Sequence, residues 1–441
     1  MNQNKVKVVF SGPPDTFSGY GARSRDLLKS LIKLKDDEWD IKVLSQRWGN
    51  TPFGALNPDI PADKQILDRI IPQMTEQPDI FMMCSVPNEM PQQRIGKYAN
   101  WIFTAGVETT IMPAELLQGA NNADLVIVSS EHTKKVFEQS SFEQINNQTK
   151  QKVADLKLTK PVEVLFEGCD LSVYKKLDNT SLITGSPLVN YLNEIKEEFC
   201  YLSVGHWLPG SDGEDRKQLT TLVKVFLETF KNKKVRPALI LKSSIGGYSI
   251  TEEEHLLDRI DTIRKQISGD LPSIYLLHGE LADSEMNILY NHPKVKAFAL
   301  CGSEGFGRPF LEFSAATGKP IITSPWSGQT DFLTSEFSIF VGGSLGSVHP
   351  SAANQFLLTD AQWFKVDPYQ LSLALKEIYD NYKTYVDRAK RQGYRCRTEF
   401  SLDKMTEKLD EIIKKHMPVI SRPMPISLPK LSRHISLPDN A

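Results

Sequence analysis

Residues 299–323 read ALCGSEGFGRPFLEFSAATGKPIIT, and this stretch defines one unit of the fold. It begins at the end of an apolar run, 294–300, that predicts a short buried strand. Glycines then turn the chain, and Pro309 stands where a first helical residue would lie, because a proline there loses no useful N–H group. Gly318 stops the helix before the apolar run 320–323. The stretch therefore predicts strand, glycine loop, helix and strand, which is the unit of a parallel α/β sheet.

Two glutamates, Glu304 in the glycine loop and Glu312 in what we expect to be the first helical turn, can face one ligand. Free backbone N–H groups at a helix start attract an anion such as a phosphate. A carboxylate, by contrast, accepts hydrogen bonds from neighbouring hydroxyl groups. A nucleotide sugar carries both phosphates and hydroxyls. For the bare spacing of two glutamates, acidic capping residues beside glycines that only turn the chain remain the simpler alternative.

The complete string EGFGRPFLE, from Glu304 to Glu312, resembles the E-x7-E donor motif of the large family of retaining glycosyltransferases with the GT-B fold. That family includes bacterial mannosyltransferases and sucrose-phosphate synthases, and the resemblance covers about residues 5 to 416. It implies that Glu304 contacts the hydroxyls of the donor sugar and Glu312 the ribose. It also implies that Gly305, Phe306 and Gly307 bind the donor.

Composition describes a protein of ordinary globular type. The 441 residues are 40% hydrophobic and 24% charged, so a hydrophobic core of normal size is expected. Because the net charge is -2, we do not expect the protein to bind nucleic acid. Five scattered cysteines without a CxxC pair fit reduced thiols, and the histidines show no metal-ligand spacing. We therefore expect no metal and no cofactor. The chain has no apolar leader and no long apolar run, which predicts a cytoplasmic protein.

Apolar runs alternate with helical patterns in both halves of the chain. This alternation predicts an α/β protein with two Rossmann-like doubly wound domains of similar size and a cleft between them. The resemblance implies the GT-B architecture, with a final helix that returns to the N-terminal domain. The expected segments are an acceptor-side domain at 1–185, a linker at 186–198, a donor domain at 199–398, the returning helix at 399–416 and an extended or disordered tail at 417–441.

A glycine loop follows the first predicted strand and ends in Gly19, Tyr20 and Gly21. Ser24 occupies the last glycine position of a GxGxxG fingerprint, and a downstream acidic partner is missing, so a dehydrogenase is not indicated. The resemblance implies that Gly19 and Gly21 lie over the donor diphosphate and help to receive the acceptor. The alternative is a flexible turn.

The helix expected at 22–34 combines leucines with a series of basic side chains. Such a helix can lie on an anionic membrane, which would make the protein peripheral to a membrane. More often the same pattern belongs to a packed helix with a solvated face, and we prefer that interpretation. The cations concerned are Arg23, Arg25, Lys29, Lys33 and Lys35.

Glu108 lies in another loop that follows a predicted strand. It is the polar residue there that can face the sugar or the acceptor, and a glutamate that only caps backbone N–H groups is an equally good account. Farther along, His132 belongs to a helix-start signature, Ser-Ser-Glu-His, and is expected to be structural.

The family usually carries Gly-Arg after the first strand of the donor domain and Lys-Gly before the next helix, and both cations hold the diphosphate. Lys217 matches the lysine, whereas His206 replaces the arginine and Gln218 replaces the second glycine. A neutral histidine offers one donor and no full charge, so Arg216 is a candidate to compensate. Without this order of motifs, a lysine at a helix start would be interpreted as solvent-exposed.

The resemblance thus implies a retaining, metal-independent glycosyltransferase, specifically a hexosyltransferase. It would move a hexose from a nucleoside-diphosphate sugar to a glycan, a lipid or another hydroxyl acceptor. Glu304, Lys217 and Glu108 are the candidate catalytic residues; His206 and Arg216 join Lys217 among the donor-binding candidates. Two alternatives stay open: a nucleotide-sugar epimerase of the same architecture, and a non-catalytic protein that binds a sugar nucleotide or glycan.

Overall fold

The computed structural model describes residues 5–146, 148–178, 186–210 and 213–421. The predicted tail lies outside the described residues from position 422 onward. Among the described residues, no helix is both long enough and apolar enough to cross a membrane.

The N-terminal half builds a parallel sheet with helices on both faces. Its strands are β1 (Val6–Gly12), β2 (Trp39–Ser45), β3 (Ile80–Cys84), β4 (Ala99–Phe103), β5 (Leu125–Val128), β6 (Phe142–Ile145), β7 (Lys152–Leu156) and β8 (Val162–Val164). Its helices are α1 (Gly19–Lys35), α2 (Pro61–Leu67), α3 (Ala114–Ala120) and α4 (Glu131–Gln139). The sheet order is β2-β1-β3-β4-β5-β8, and β6 and β7 form a separate hairpin. Every residue of β3 and β4 is buried, as expected for strands covered on both faces.

The C-terminal half repeats this design. Its strands are β9 (Cys200–Val204), β10 (Ala238–Lys242), β11 (Ile274–Leu277), β12 (Val295–Ala299), β13 (Ile321–Thr323), β14 (Ile339–Phe340), β15 (Gly343–Ser347) and β16 (Gln362–Val366). Its helices are α5 (Pro187–Glu194), α6 (Leu219–Phe230), α7 (Ile250–Lys265), α8 (Asp283–Asn291), α9 (Arg308–Thr317), α10 (Pro368–Asp380), α11 (Tyr382–Glu399) and α12 (Leu402–His416). The parallel sheet has the order β11-β10-β9-β12-β13-β14, and β15 and β16 form a hairpin.

Each sheet has one point at which the strand order reverses. In the first sheet this point lies between β1 and β3, and in the second it lies between β9 and β12. The loops that leave the carboxyl ends of such a strand pair run in opposite directions and leave a crevice. The fold therefore provides two crevices, one in each domain.

The last helix, α12, leaves the second domain and packs on the first. Met405, Leu409 and Ile412 lie in the hydrophobic core of the N-terminal domain. The Ser30 hydroxyl of α1 lies 2.8 Å from the Thr406 hydroxyl of α12. The prediction of two doubly wound domains with a returning C-terminal helix is confirmed.

Helix α1 uses its basic side chains within the molecule. Arg23 donates to the Leu165 carbonyl at 3.1 Å, and Arg25 donates to the Pro14 carbonyl at 2.9 Å. Lys29 lies 3.2 Å from Asp63, and Lys33 lies 2.7 Å from Asp403 of α12. These contacts are those of a packed helix.

The segment that we predict as a linker contains a helix, α5. Leu188, Leu192 and Ile195 place it in the core of the second domain. The segment is short and mixes apolar with polar residues, so its sequence looks irregular. Pro187 at the helix start and the four-residue spacing of the leucines nevertheless suit a short packed helix. The position of the domain boundary stays a prediction.

Candidate active site between the two domains

A buried ion pair between Lys217 and Glu304 lies at the crevice of the second domain. Glu304 follows β12 and Lys217 precedes α6, and the ammonium donates to the carboxylate. The two residues are only 7% and 8% exposed. Burial lowers the pKa of Lys217, an effect that the Glu304 carboxylate opposes. The sequence names both residues, and the structure brings them into direct contact.

The Lys217 backbone reaches this position because position 302 is a glycine. A Cβ atom on Gly302 would lie 2.2 Å from the Lys217 Cα atom, which no side chain permits. Gly205, after β9, makes similar room, since a Cβ there would lie 2.9 Å from Cδ of Lys217. The glycines around the crevice thus serve close approach of backbone and side chain as well as turning.

Glu108 joins the site from the N-terminal domain. Its carboxylate accepts from Arg216, which also donates to the Ser303 carbonyl at 2.8 Å. The Trp326 indole donates to the Glu108 carbonyl oxygen at 3.0 Å. Burial raises the pKa of Glu108, and the neighbouring Arg216 guanidinium opposes this shift. The pair formed by Arg216 and Glu108 therefore crosses the cleft.

The two domains meet backbone to backbone at Gly106 and Gly305. A Cβ atom on Gly106 would lie 2.0 Å from the Gly305 Cα atom. On its other side Gly305 meets Gly328, where an added Cβ would lie 2.0 Å from the Gly305 carbonyl oxygen. Only glycine at these positions allows the loop of the E-x7-E motif to lie against the opposite domain.

His206 lies at the exposed mouth of the crevice, where its Nδ1 atom is 2.7 Å from the Ser244 hydroxyl. Although solvent reaches the ring, protein encloses much of it. This partial desolvation, together with the positive charges of Lys217, Arg216 and Lys242, lowers the pKa of His206 to about 4. The lowered pKa favours the neutral form of His206 in this structure.

Helix α9 begins at Arg308, one residue before Pro309. The second motif glutamate, Glu312, therefore lies one position farther from the helix start than the sequence predicts. Gly307 caps the helix in the left-handed conformation, with φ of 92°. Because α9 begins at Arg308, Glu312 lies in its second turn, and the prediction of a first-turn position is wrong. Phe306 turns its ring into the core, 5.0 Å from the Phe332 ring, so it presents only backbone to a ligand.

Glu312 belongs to a separate group of charges. Arg308 donates from Nε to Glu312 at 2.7 Å, and the Tyr290 hydroxyl donates to its other oxygen at 3.3 Å. Arg308 also pairs with Asp26 of α1 and lies 3.9 Å from Glu167. Burial raises the pKa of Glu312 to about 7 despite the nearby Arg308. We call Asp26, Glu167, Arg308 and Glu312 the interdomain cluster.

The glycines of the first loop lie at the start of α1 instead of in an open loop. Ser18 caps the helix by accepting from the Gly21 N–H at 2.9 Å. A Cβ on Gly21 would lie 2.2 Å from the Thr16 carbonyl oxygen, so packing alone requires this glycine. Nothing lies within 4 Å of the corresponding position on Gly19. Contact of Gly19 and Gly21 with a donor stays a prediction.

Three charged residues of the site, Asp26, Glu167 and Arg308, were not predicted from the sequence. Two of them could have been found in the sequence: Arg308 stands inside the quoted motif, and Glu167 follows a predicted strand, as the other candidate site residues do. Asp26 carried no such signal, because nothing local distinguishes it from other charges of an amphipathic helix. In the described part of the chain, no group of three or more His, Cys, Asp or Glu residues is placed to hold a metal ion.

No protein-family model matches the sequence, and no curated protein matches it. Several solved structures are similar. Sucrose-phosphate synthase from Thermosynechococcus elongatus aligns with a TM-score of 0.60 at 13% identity, over 93% of this chain and 99% of that chain. HepE from Anabaena, in complex with UDP-glucose, aligns with a TM-score of 0.58 at 14% identity, over 93% of this chain and 99% of that one.

The trehalose-6-phosphate synthase OtsA is a further similar structure. It aligns with a TM-score of 0.55 at 12% identity, over 94% of this chain and 100% of that chain. Similarity at these identities shows a common fold. The chain therefore has the GT-B fold, in which two Rossmann-like domains face each other across a cleft.

Proposed function

We propose that this protein is a retaining, metal-independent glycosyltransferase. It would move a hexose from a nucleoside-diphosphate sugar to a hydroxyl group of an acceptor. The observation that carries the proposal is the buried pair of Lys217 and Glu304 at the strand-order reversal of the second domain. A cation for phosphate and a carboxylate for sugar hydroxyls meet there, on a fold shared with HepE bound to UDP-glucose.

In this reaction the site must stabilise the negative charge of the departing nucleoside diphosphate. Lys217 supplies a positive charge, and Arg216 supplies a second one beside it. Helix α9 begins four residues after Glu304 and adds the positive end of its dipole on that side of the site. Donors fixed before the reaction stabilise developing charge most effectively, because they need no reorganisation.

Glu304 would release Lys217 to the diphosphate and accept hydrogen bonds from the hexose hydroxyls. The acceptor would arrive from the N-terminal domain, whose Glu108 already contacts Arg216 across the cleft. In the proposed step the bond between the anomeric carbon and the diphosphate oxygen breaks, and the acceptor oxygen bonds to the same face. The acceptor proton leaves with the diphosphate. Contact between Gly106 and Gly305 would exclude water, which otherwise hydrolyses the donor.

The test is donor binding by calorimetry and release of nucleoside diphosphate across a panel of nucleotide sugars. UDP-glucose is the first donor to try, since HepE was solved with it. We expect one donor to bind and to be hydrolysed slowly without acceptor, and Glu304→Ala and Lys217→Ala to lose this turnover by about 100-fold or more. Lys404→Ala, which removes an exposed ion pair with Glu407, is the matched control.

Three other outcomes would replace the proposal. Failure of every nucleotide sugar to bind would overturn it. Conversion of the donor sugar to its epimer in the absence of acceptor would identify an epimerase. Tight binding of a nucleotide sugar without any release of nucleoside diphosphate would identify a non-catalytic binding protein.

A further inference from the structure

The loop that joins β4 to α3 is attached to the second domain on both sides of Glu108. Before it, Gly106 packs against the Gly305 backbone, where an added Cβ atom would lie 2.0 Å from the Gly305 Cα atom. After it, the Thr110 N–H donates to the Gln362 carbonyl at 2.9 Å, and the Thr110 hydroxyl accepts from the Gln362 N–H at 3.0 Å. These contacts hold the Glu108 side chain at the crevice of the second domain.

In this structure, each of the two cations that the proposed function assigns to the diphosphate is paired with a carboxylate. Arg216 pairs with Glu108 of the opposite domain, and Lys217 pairs with Glu304 of its own domain. The four side chains are between 8% and 20% exposed, so salt and solvent screen their charges weakly. A diphosphate therefore has to compete with a carboxylate of the protein for each cation.

The competition differs for the two carboxylates. Glu304 would keep a role after a donor binds, because the hexose hydroxyls donate hydrogen bonds to it. Glu108 accepts from the Arg216 Nη1 atom, which also donates to the Ser303 carbonyl at 2.8 Å. A phosphate on any nitrogen of this guanidinium would lie close to the Glu108 carboxylate, and like charges so near each other repel. Glu108 thus opposes an anion at Arg216.

The strength of this repulsion depends on the charge of the ligand. In a nucleotide sugar the hexose esterifies the terminal phosphate. Transfer of the hexose frees that phosphate, so the departing nucleoside diphosphate carries more negative charge than the donor did. The Glu108 carboxylate therefore repels the product more strongly than the donor, and it can bond to Arg216 again when the product leaves.

We propose that Glu108 competes with the diphosphate for Arg216 and thereby favours release of the nucleoside diphosphate after transfer. This inference rests on the proposed function and assigns Glu108 a part in it. Glu108 is then a positioning residue that acts through Arg216, and direct contact with the sugar is not required of it. Because the two residues belong to different domains, re-forming the pair also restores a contact across the cleft.

Calorimetric titration of the unmodified protein and of Glu108→Gln with UDP and with UDP-glucose tests this inference. Glutamine keeps the shape of the side chain and removes its charge. We expect the variant to bind UDP about tenfold more tightly, which corresponds to loss of one competing charged hydrogen bond. Its affinity for UDP-glucose should rise by a smaller factor. A purely structural role of Glu108 would weaken binding instead.

Two further proteins make the comparison specific. In an Arg216→Gln background, Glu108→Gln should no longer tighten UDP binding, because the competition needs the guanidinium. Asp331→Asn is the matched control. The Asp331 carboxylate also joins the two domains, since it accepts from the Glu131 N–H at 2.9 Å, whereas Arg216 and Lys217 pair with other carboxylates. The UDP affinity should be unchanged in this control.

Unchanged or weaker UDP binding in Glu108→Gln would overturn the inference. Tighter binding in Asp331→Asn would overturn it as well, because the effect would then come from looser domains. Inorganic pyrophosphate separates the inference from the proposed function, since it carries the diphosphate without a nucleoside. If no nucleotide sugar binds, the glycosyltransferase proposal fails, and tighter pyrophosphate binding in Glu108→Gln than in the unmodified protein still supports the competition for Arg216. In that case, equal pyrophosphate binding by the two proteins, or none, overturns the inference too.

Discussion

Arg308 of the second domain forms an ion pair with Asp26 of the first, across the cleft and largely out of solvent. The same guanidinium holds Glu312 of its own helix at 2.7 Å and lies 3.9 Å from Glu167 of the opposite domain. A guanidinium suits this place because its five N–H donors spread in a plane toward several carboxylates. One side chain thus connects the two domains and the second glutamate of the motif.

Replacing Arg308 by leucine should destabilise the closed arrangement strongly. The change leaves Asp26, Glu167 and Glu312 close together without their shared cation. Loss of one partner from a buried ion pair typically costs about 3–5 kcal/mol. Urea denaturation should show the lower free energy of unfolding, and small-angle scattering should show a larger radius of gyration. Loss of Lys404, whose pair with Glu407 is exposed, should cost less than about 1 kcal/mol. An Arg308→Leu protein with unchanged stability and dimensions would contradict a closing role.

Changes at Lys217 and Glu304 should have non-additive effects on the free energy of unfolding, whereas each change alone should strongly reduce turnover. Lys217→Met alone leaves a buried carboxylate without its cation, and Glu304→Gln alone leaves a buried ammonium. Each single change should lower the free energy of unfolding by about 3 kcal/mol, whereas the double variant should recover most of that loss. Turnover should be absent in the double variant, because neither function returns with stability. Additive losses in the double variant would show that the two groups do not interact in solution.

Much of the scaffold could be predicted because strands and helices leave local patterns. Four apolar runs in the sequence predict strands with the bounds that the structure has: Ile80–Cys84, Leu125–Val128, Ala238–Lys242 and Ile274–Leu277. Helix α11, Tyr382–Glu399, was not predicted, because it is strongly polar along its length and its buried residues, Ala389, Gln392, Gly393 and Cys396, include no large apolar side chain. The β15–β16 hairpin was not predicted either, since four of the five residues of β15 are glycine or serine, which have low strand propensity.

The site was less accessible to sequence reasoning than the scaffold. Glu304, Lys217 and Glu108 could be named individually by motif order. Their pairing could not be predicted, because the three residues come from loops far apart in the chain and meet only through packing of the two domains. For the same reason, the sequence could not show that the two glutamates of the E-x7-E motif lie in different groups of charges. Glu312 faces Arg308 and Tyr290, and neither contact can be deduced from a spacing of eight residues.

Gly106→Ala should strongly reduce activity while both domains remain folded. Its Cβ would lie 2.0 Å from the Gly305 Cα atom, so the two loops must separate by an ångström or more. We expect turnover to fall by about 100-fold, in line with the sensitivity of catalysis to small displacements of reacting groups. Circular dichroism should show unchanged secondary structure. Gly246→Ala is the matched control, because nothing lies within 4 Å of its added Cβ. Full activity in Gly106→Ala would show that this contact is not formed during turnover.

Glu312 should make stability depend on pH in a direction opposite to that of a normal ion-paired carboxylate. Burial raises its pKa from 4.5 in the unfolded chain to about 7, so the folded protein holds a proton there that the unfolded chain releases. The resulting stabilisation is present below about pH 4.5 and is lost as the pH rises through 7. At 1.36 kcal/mol per pKa unit the full effect is about 3 kcal/mol.

Urea denaturation of the wild type and Glu312→Gln between pH 5 and 8 tests this prediction. Glutamine cannot ionise, so the variant should lose less stability over that interval than the wild type does. The other charges around the position, Asp26, Glu167 and Arg308, are present in both proteins, and the difference between the two curves therefore isolates Glu312. Glu407→Gln, at a carboxylate that is 62% exposed, should leave the wild-type slope unchanged. Parallel curves for the wild type and Glu312→Gln would mean that Arg308 keeps the carboxylate ionised throughout.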